Sequence, residues 1–400
     1  MPRRTLLLAA GAALALSGCS LSTSNSGGGS GQINSGVSSS SRQALAQLGL
    51  PTAATRDTTR VSGTDPVTDA AGVATAIFPA TGKQDRPGAV ALVDRGQWQA
   101  GVAAAVLAGS PLHAPVLLSD GDTLPGATSD ALSRLKPTGE SLAKGAQAIL
   151  VGDTPPAPGG VKSGAIHGNN PYTIAEAVDR FQTAVAGKPT PDVMVASGDQ
   201  SAWAMPAAAW AARSGDPVLF VKKNSIPGPT KRALAAHAKP NIYILGTSSV
   251  VSASVENQLK KLGTVVRVNA GGKNAVKDAV SGAVQFARFH QGTFGWNATQ
   301  PGRNYSLAST SRPLDVAAAA TLGSNGVYAP LLLTDKAGKL PSALQSYLLD
   351  VQPGFENGDP SQGFYNRVWI LGNRDAVSTG VQAKIDQLTE LVPVDQPTGK

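Results

Sequence analysis

Cysteine is nearly absent from this chain of 400 residues, because Cys19 is the only one. A single thiol excludes any disulfide within the chain, so stability has to come from packing and hydrogen bonds. Histidine is also scarce, and none of the four stands four positions from another. This pattern gives poor support for a metal site, and we expect no metal and no other cofactor.

Aromatic residues make up only 5% of the chain, which argues against a stacking platform for sugars. Lysine and arginine never form a run longer than two residues. Together these two features lead us to expect no nucleic-acid partner.

The N-terminal residues have the pattern of a lipoprotein signal. Two arginines precede the apolar stretch 5–15, which is too short to span a bilayer as a helix. Leu16, two small residues and Cys19 then match the bacterial lipobox, which implies cleavage before Cys19 and diacylglycerol on its sulfur. A plain secretory signal with an accidental cysteine is the alternative. We predict a signal peptide over 1–18 and a lipid anchor on the extracytoplasmic face of the cell membrane.

A flexible tether is expected after the lipidated cysteine. Residues 20–41 are almost all Ser, Gly, Thr and Asn, and such a segment cannot bury enough apolar surface to fold. We assign 19–59 to the cysteine and tether, and place the folded part from residue 60.

The overall charge is basic. The chain has 34 Lys and Arg against 26 Asp and Glu, a net charge of +8. A basic exported protein is attracted to anionic polymers, although a surplus of this size is equally compatible with solubility alone.

A unit of about a hundred residues recurs three times along the folded part. Each copy has a strand-like apolar run that begins with proline and a later apolar run that ends with glycine. The prolines are Pro115, Pro217 and Pro330, and the glycines are Gly152, Gly246 and Gly372. No group of catalytic residues recurs with the unit, which favours a binding function over catalysis. We therefore expect that the chain is not an enzyme.

Continuous apolar strands alternate with helices in every unit, which predicts parallel βαβ units with helices on both faces of the sheet. The second unit has predicted strands at 192–197, 217–221, 241–246 and 265–268. By the same order, 391–394 (LVPV) is expected to be the last strand of the third unit.

The ordered motifs of these units resemble the cell wall-binding repeat 2 family, which occurs in three tandem copies on Gram-positive surface proteins. The family opens with Arg-hydrophobic-x-Gly, and its strand-helix-strand core ends in Ala-Pro. The opening motif corresponds here to RVSGTD (60–65), VKSGAI (161–166) and RVNAGG (267–272), and Ala-Pro occurs at 114–115 and 329–330.

The resemblance implies three similar Toprim-like α/β modules with short, mostly parallel sheets, in a pseudo-threefold arrangement. Modules at 60–161, 162–266 and 267–400 would close a triangle within one chain, so a monomer is expected. The family implies a non-catalytic anchor on an anionic cell-wall polymer or peptidoglycan, and the lipid would link it to the membrane.

Three basic residues stand at equivalent places in the opening motifs: Arg60, Lys162 and Arg267. One interpretation is that they contact phosphate or carboxylate groups of a wall polymer. The other is that their stems pack on a neighbour while their heads cap a helix or pair with a local acid.

A fourth candidate is Asp315, because the family has an acid at the start of the second helix. Gly101 and Trp203 stand at the corresponding places in the first two units, so only the third unit keeps the acid. Trp203 and Trp210 lie on one face of a predicted helix, either as a sugar-stacking pair or in packing against a neighbouring module.

A solute-binding lipoprotein of a transport system is the alternative function. Such proteins also combine a lipobox, a tether and α/β domains, but they have two lobes joined by a hinge. Three equivalent units favour the wall-binding hypothesis.

Overall fold

A computed structural model of the chain describes residues 52–61, 63–269, 276–356 and 359–394. The predicted signal peptide, Cys19 and the Ser/Gly-rich part of the tether lie outside these residues, as does the end of the third opening motif. Across the described ranges, no helix combines the length and apolar character needed to cross a membrane.

The strands are short, and most are continuous apolar runs, as expected for strands covered on both faces. They are β1 (Thr52–Ala54), β2 (Thr58–Val61), β3 (Val90–Asp94), β4 (Val116–Ser119), β5 (Ala148–Val151), β6 (Ser163–Ile166), β7 (Asp192–Ser197), β8 (Val218–Val221), β9 (Asn241–Ile244), β10 (Thr264–Arg267), β11 (Asn304–Ser309), β12 (Leu331–Thr334), β13 (Gly354–Phe355), β14 (Arg367–Leu371) and β15 (Val392–Pro393).

Helices connect most of these strands. They are α1 (Pro66–Ile77), α2 (Trp98–Ala104), α3 (Gly126–Leu135), α4 (Pro171–Ala186), α5 (Ser201–Ser214), α6 (Gly228–Ala236), α7 (Ala253–Leu259), α8 (Ala279–Arg288), α9 (Val316–Gly323), α10 (Ser342–Asp350) and α11 (Thr379–Thr389).

Three sheets share one strand order. The first sheet is β6-β5-β3-β4, the second is β10-β9-β7-β8, and the third is β2-β14-β11-β12 with β1 antiparallel at its edge. All other neighbours in these sheets are parallel, which is why helical crossovers are needed between them. Three similar modules therefore confirm the predicted α/β fold.

The edge strand of each sheet comes from the start of the following repeat. The strands β6 and β10 are contributed in this way to the first and second sheets. The third sheet has no following repeat, and β2 from the beginning of the chain takes the place beside β14. The sheets are thus offset by one strand from the predicted module boundaries, and the first repeat closes a ring with the third.

Two sequence expectations change as a result. Residues 52–59 were assigned to the tether, but they contain β1 and most of β2, because the β-branched run TTRV is buried against β14. Residues 391–394 were predicted as the last strand of the third unit and do contain β15, but this strand lies outside the third sheet and pairs with β13. Pro393 cannot donate to a ladder, so this segment is confined to a short edge strand.

Helices α2, α5 and α9, one from each repeat, pack against one another at the centre. The backbones around this contact approach so closely that glycine is required, at Gly323 in α9 and at Gly109 shortly after α2. A Cβ on Gly109 would lie 2.1 Å from the carbonyl oxygen of Ala212, and one on Gly323 would lie 2.4 Å from that of Ala209. This contact of three alanine-rich helices is the pseudo-threefold centre.

The first helix of each repeat begins with a capping box, in which the cap side chain and the residue three positions later satisfy each other's backbone N–H. The caps are Asp65, Asn170 and Asp278. These shared caps align the three helices residue by residue.

Candidate functional site

The candidate site lies at the carboxyl end of the third sheet. After β11 the chain adds β12 on one side and then β14 on the other, and ligands of open α/β sheets bind where the strand order reverses in this way. Gly372 follows β14 at this point with φ of 98°. A Cβ there would lie 2.7 Å from Cβ of Ala376, so only glycine fits.

Arg60 reaches this glycine from the neighbouring strand and is almost completely buried. Its Nη1 donates to the carbonyl oxygens of Gly372 and Asn373, each at 2.9 Å, and its Nε donates to Oε1 of Gln382 at 2.8 Å. Burial, with a smaller contribution from nearby Arg374, lowers the pKa of Arg60 to about 10. The side chain therefore fastens β2 to the loop after β14 and to α11.

Arg267 does the same in the second sheet. It pairs with Ile244, two residues before Gly246, as Arg60 pairs with the residue two before Gly372. Its Nη1 donates to the carbonyl oxygen of Gly246 at 2.6 Å, and its Nη2 lies 2.7 Å from Oε2 of Glu256. Both arginines follow the interpretation in which the head is bound within the protein.

Lys162 is not equivalent to these arginines, and that part of the prediction is wrong. In the first sheet, Ala165 occupies the corresponding register, opposite Leu150. Lys162 lies three residues earlier and is exposed, and its Nζ donates to the carbonyl oxygen of Lys144. The prediction aligns the three opening motifs on their glycines. The sheets instead align the motifs on their strands, and the strand contains the motif's glycine only in this repeat.

Asp315 lies in a buried cluster with Asp69 and Arg312, and both carboxylates have no exposed surface. Nε of Arg312 donates to Oδ2 of Asp315 at 2.8 Å, and its Nη2 donates to Asp69 and to Oδ1 of Asp315. The backbone N–H of Gly63 donates to Oδ1 of Asp69 at 2.8 Å. One guanidinium thus serves two carboxyl groups from different repeats.

The electrostatics of this cluster are uneven, because two acids share one cation. Burial raises the pKa of Asp69, and the neighbouring Asp315 raises it further against the opposing effect of Arg312. Burial likewise raises the pKa of Asp315. The arrangement corresponds to an ion pair beside a neutral carboxylic acid, which can hold elements together but cannot reach a polymer outside.

The same positions are apolar or small in the other two sheets. Asp69 is the fourth residue after its cap, and Ile174 and Gly282 take that place in α4 and α8. A Cβ on Gly282 would lie 2.7 Å from Cζ3 of Trp203. Trp203 therefore fills the space that a side chain would need.

Both tryptophans follow the packing interpretation rather than that of a sugar-stacking pair. Trp203 packs on α8 of the next repeat, and Trp210 is only 6% exposed, with its ring edge-to-face against Phe294 at 5.1 Å. Their shared helix face is an interface between the second and third repeats.

Sequence reasoning missed Asp69, Arg312 and Gln382. Arg312 and Asp315 are three apart, and Asp69 is the second acid of GTDPVTD, so both were visible as charged residues near a predicted helix start. Nothing local indicates that they meet, since 243 positions separate Asp69 from Arg312. No group of three or more His, Cys, Asp or Glu within the described ranges is placed to hold a metal ion.

Comparison with known proteins finds one family model that matches part of the chain. Residues 166–256 match the family described as Cell wall binding domain 2 (CWB2). Over these residues the chain is similar to a cell wall binding domain 2. The matched segment covers most of the second repeat, and the first and third repeats share its strand order. This match supports association with the cell wall.

Solved structures show the same fold. Cwp8 from Clostridium difficile has a TM-score of 0.61 at 19% identity, covering 84% of this chain and 52% of that one. Cwp6 from Clostridium difficile has a TM-score of 0.64 at 18% identity, covering 82% of this chain and 48% of that one. The chain spans about half the length of these structures.

A curated relative is similar in sequence to part of this chain. The amidase enhancer of Bacillus subtilis (strain 168) is 30% identical over 210 residues, which is 52% of this chain and 28% of that protein. The chain thus matches a minor part of the enhancer's length.

Proposed function

We propose that the chain is a non-catalytic cell-envelope lipoprotein whose three repeats bind an anionic cell-wall polymer and bridge membrane and wall. The match of residues 166–256 to Cell wall binding domain 2 is the observation that carries this proposal. Lipid on Cys19 and the Ser/Gly-rich segment would supply the membrane end of the bridge.

The polymer contacts are assigned to exposed cations rather than to the arginines chosen from sequence. Arg60 and Arg267 would have to give up several internal hydrogen bonds to meet a phosphate, which makes them poor ligands. Exposed basic side chains follow the strands of the second and third sheets at the same carboxyl ends. They are Lys222, Lys223, Lys336, Lys339 and Arg374.

The first sheet differs at this end, because acids outnumber bases after its strands, whereas in the other two sheets the five cations outnumber Asp199, Asp335 and Asp375. Asp120 comes after β4 and Asp153 after β5, and Arg95 after β3 pairs with Asp120. An anionic chain would be repelled here, so we assign the polymer to the second and third sheets. We call these two carboxyl ends the polymer face.

A monomer is proposed because the chain supplies its own closing strand. The solute-binding alternative requires two lobes around a hinge. Three sheets of one strand order do not have that arrangement, and we develop the alternative no further.

Sedimentation with purified sacculi tests the proposal. The protein should co-sediment with untreated sacculi and stay in solution after anionic polymers are stripped. Lys222→Glu/Lys336→Glu should weaken retention, whereas the control Lys83→Glu/Lys136→Glu changes net charge equally and should not, because these lysines precede β3 and β5 at the other end of the first sheet. Equal loss in both variants, or no binding by the unaltered protein, would contradict the proposal.

A further inference from the structure

A cleft of about 570 Å³ lies between the amino ends of the second and third sheets, at the opposite ends of the strands from the polymer face. Its lining includes Thr190, Asp216 and Tyr328, which precede β7, β8 and β12. The volume is within the range of about 300–1,000 Å³ that small-ligand sites occupy.

The few aromatic residues of this chain are concentrated beside the cleft. In the third repeat, the connection from the first helix, α8, to the strand that follows it, β11, is longer than in the other two repeats. This connection brings Phe294 and Trp296 beside the cleft. The rings of Tyr243 and Phe294 stack at 3.5 Å, and those of Trp210 and Trp296 meet edge-to-face at 5.3 Å. A low average aromatic content therefore coexists with a local aromatic wall.

Two rings that line the cleft, Trp296 and Tyr328, are candidates for ligand recognition. Nε1 of Trp296 is buried and has no hydrogen-bond partner among the described residues, whereas Nε1 of Trp210 donates to Oδ2 of Asp216 at 2.9 Å. A buried donor without an acceptor is unfavourable, so a movement of the Trp296 ring that brings Nε1 to an acceptor on a bound ligand would be favoured. The ring of Tyr328 is 49% exposed at the cleft.

The charged groups of the cleft are of two kinds, exposed arginines and buried carboxylates. Arg213 and Arg303 are exposed, and within the described ranges neither forms an ion pair; Arg213 instead lies over the ring of Tyr328, 4.5 Å from its centroid. The carboxylates of Asp192 and Asp216 are buried and accept hydrogen bonds from Asn241 and Trp210. Each carboxylate keeps free lone pairs for a hydroxyl donor.

We propose that this cleft binds a sugar ring that carries a carboxylate or a phosphate. The apolar face of the ring packs on Tyr328 and Trp296. Its hydroxyl groups donate to Asp216, and its anionic group is held by Arg213 and Arg303. The choice of a saccharide rests on the proposed wall function, while the anionic group follows from the unpaired arginines.

Calorimetric titration of the folded chain with three soluble probes tests the site. The probes are the disaccharide N-acetylglucosaminyl-N-acetylmuramic acid, which carries a carboxylate, N-acetylglucosamine 1-phosphate, and neutral N,N′-diacetylchitobiose, called chitobiose below. At least one acidic probe should bind roughly tenfold or more tightly than chitobiose, since charge-assisted hydrogen bonds are stronger than neutral ones. Which acidic probe binds then distinguishes a carboxylate from a phosphate source.

Variants locate the binding in the cleft. Arg213→Ala/Arg303→Ala should weaken the acidic probe by roughly tenfold and leave the neutral one unchanged, and Tyr328→Ala should weaken both. Arg180→Ala and Tyr365→Ala are matched controls, because they remove an exposed arginine and an equally exposed tyrosine that line neither the cleft nor the polymer face.

Equal affinity for acidic and neutral probes, no binding of any probe, or equal loss in the control variants would overturn this inference. If the chain sediments with sacculi but binds no probe, the cleft assignment fails and the proposed function stands. If it binds an acidic probe but ignores sacculi, the proposed function fails and the cleft assignment stands.

Discussion

The seams between repeats are built in two ways. In the first and second sheets the edge strand follows its sheet directly along the chain, and the positions beside it are apolar or small, such as Ile174 and Gly282. In the third sheet the edge strand comes from the other end of the chain, and Asp69, Arg312 and Asp315 are buried there. We call these the continuous seams and the closing seam.

The difference teaches where this fold needs specificity. A continuous seam forms from neighbouring segments, so apolar packing is sufficient to complete it. The closing seam has to select one edge strand across a loop of about 300 residues, and the entropy of closing it is paid without covalent help. We infer that the buried ionic groups serve this selection. Removing one partner of a buried ion pair is strongly destabilising, so the closing seam is the part of the molecule that charge changes should disturb most.

Arg312→Ala should have the largest effect. It leaves the buried carboxyl groups of Asp69 and Asp315 without a cation, and breaking a buried pair costs about 3–5 kcal/mol of the free energy of unfolding. Urea unfolding measures it. Arg374→Ala, an exposed arginine after the same sheet, is the control and should change stability by less than about 0.5 kcal/mol. Equal effects would show that the cluster is not what holds the closing seam.

Arg60→Ala should cost about 2–3 kcal/mol, because two carbonyl oxygens and Gln382 lose a charged donor. Arg267→Ala should cost less, since its side chain retains about 10% exposure and water can replace it. Lys162→Ala should be nearly neutral. Thermal unfolding ranks the three, and a neutral Arg60→Ala would restore the polymer-contact interpretation of this residue.

Gly282→Val probes a continuous seam instead. The new side chain collides with the ring of Trp203, and overpacking of this kind costs about 1–3 kcal/mol. Adding Trp203→Leu should recover most of the loss. A double variant no more stable than Gly282→Val would mean that the size of Trp203 is not what the glycine accommodates.

The pH dependence of stability should distinguish the closing seam from the continuous seams, and it is the smallest of the expected effects. The raised pKa values of Asp69 and Asp315 mean that the folded chain binds more protons than the unfolded chain above about pH 4. Stability contributed by the closing seam is therefore full below that pH and falls as pH rises, by up to about 1.4 kcal/mol per unit for one proton.

Asp315→Asn isolates this effect. With one carboxyl group removed, Asp69 can ionise beside Arg312, so the slope of unfolding free energy between pH 4.5 and 6 should flatten. His237 also has a raised pKa: burial lowers it, but the bond to Asp179 and the associated contacts outweigh this. Its own loss of stability lies above its ordinary pKa of 6.5, outside the chosen window. An unchanged slope would place the titrating groups elsewhere.

Local patterns were sufficient to predict most strands and helices. The run DVMVAS was assigned to 192–197 and is β7, because an apolar run bounded by polar and turn residues depends only on its own sequence. The partner of β2 depends instead on β14, 310 positions away at Arg60 and Ile370, and no periodicity in either strand specifies that pairing.

The candidate site shows the same limit. Arg60 and Asp315 were predicted as polymer-binding candidates, but an arginine in a motif has the same appearance whether its head is in solvent or bound to Gln382. Burial of the head depends on residues more than 300 positions distant. The sequence therefore indicates the positions of these charged side chains. It does not indicate that their hydrogen-bonding atoms are already bound within the protein.

The closing seam itself can be tested by cross-linking within the chain. Thr59 and Trp369 are register partners across β2 and β14, and Cys19 is the only native cysteine. In a Cys19→Ser background, Thr59→Cys/Trp369→Cys should react with a short bismaleimide to give a cross-link within one chain, with monomer mass and altered mobility, and neither single variant should. A covalent dimer as the main product, or no cross-link at all, would contradict the account that the N-terminal strand closes the three repeats of its own chain.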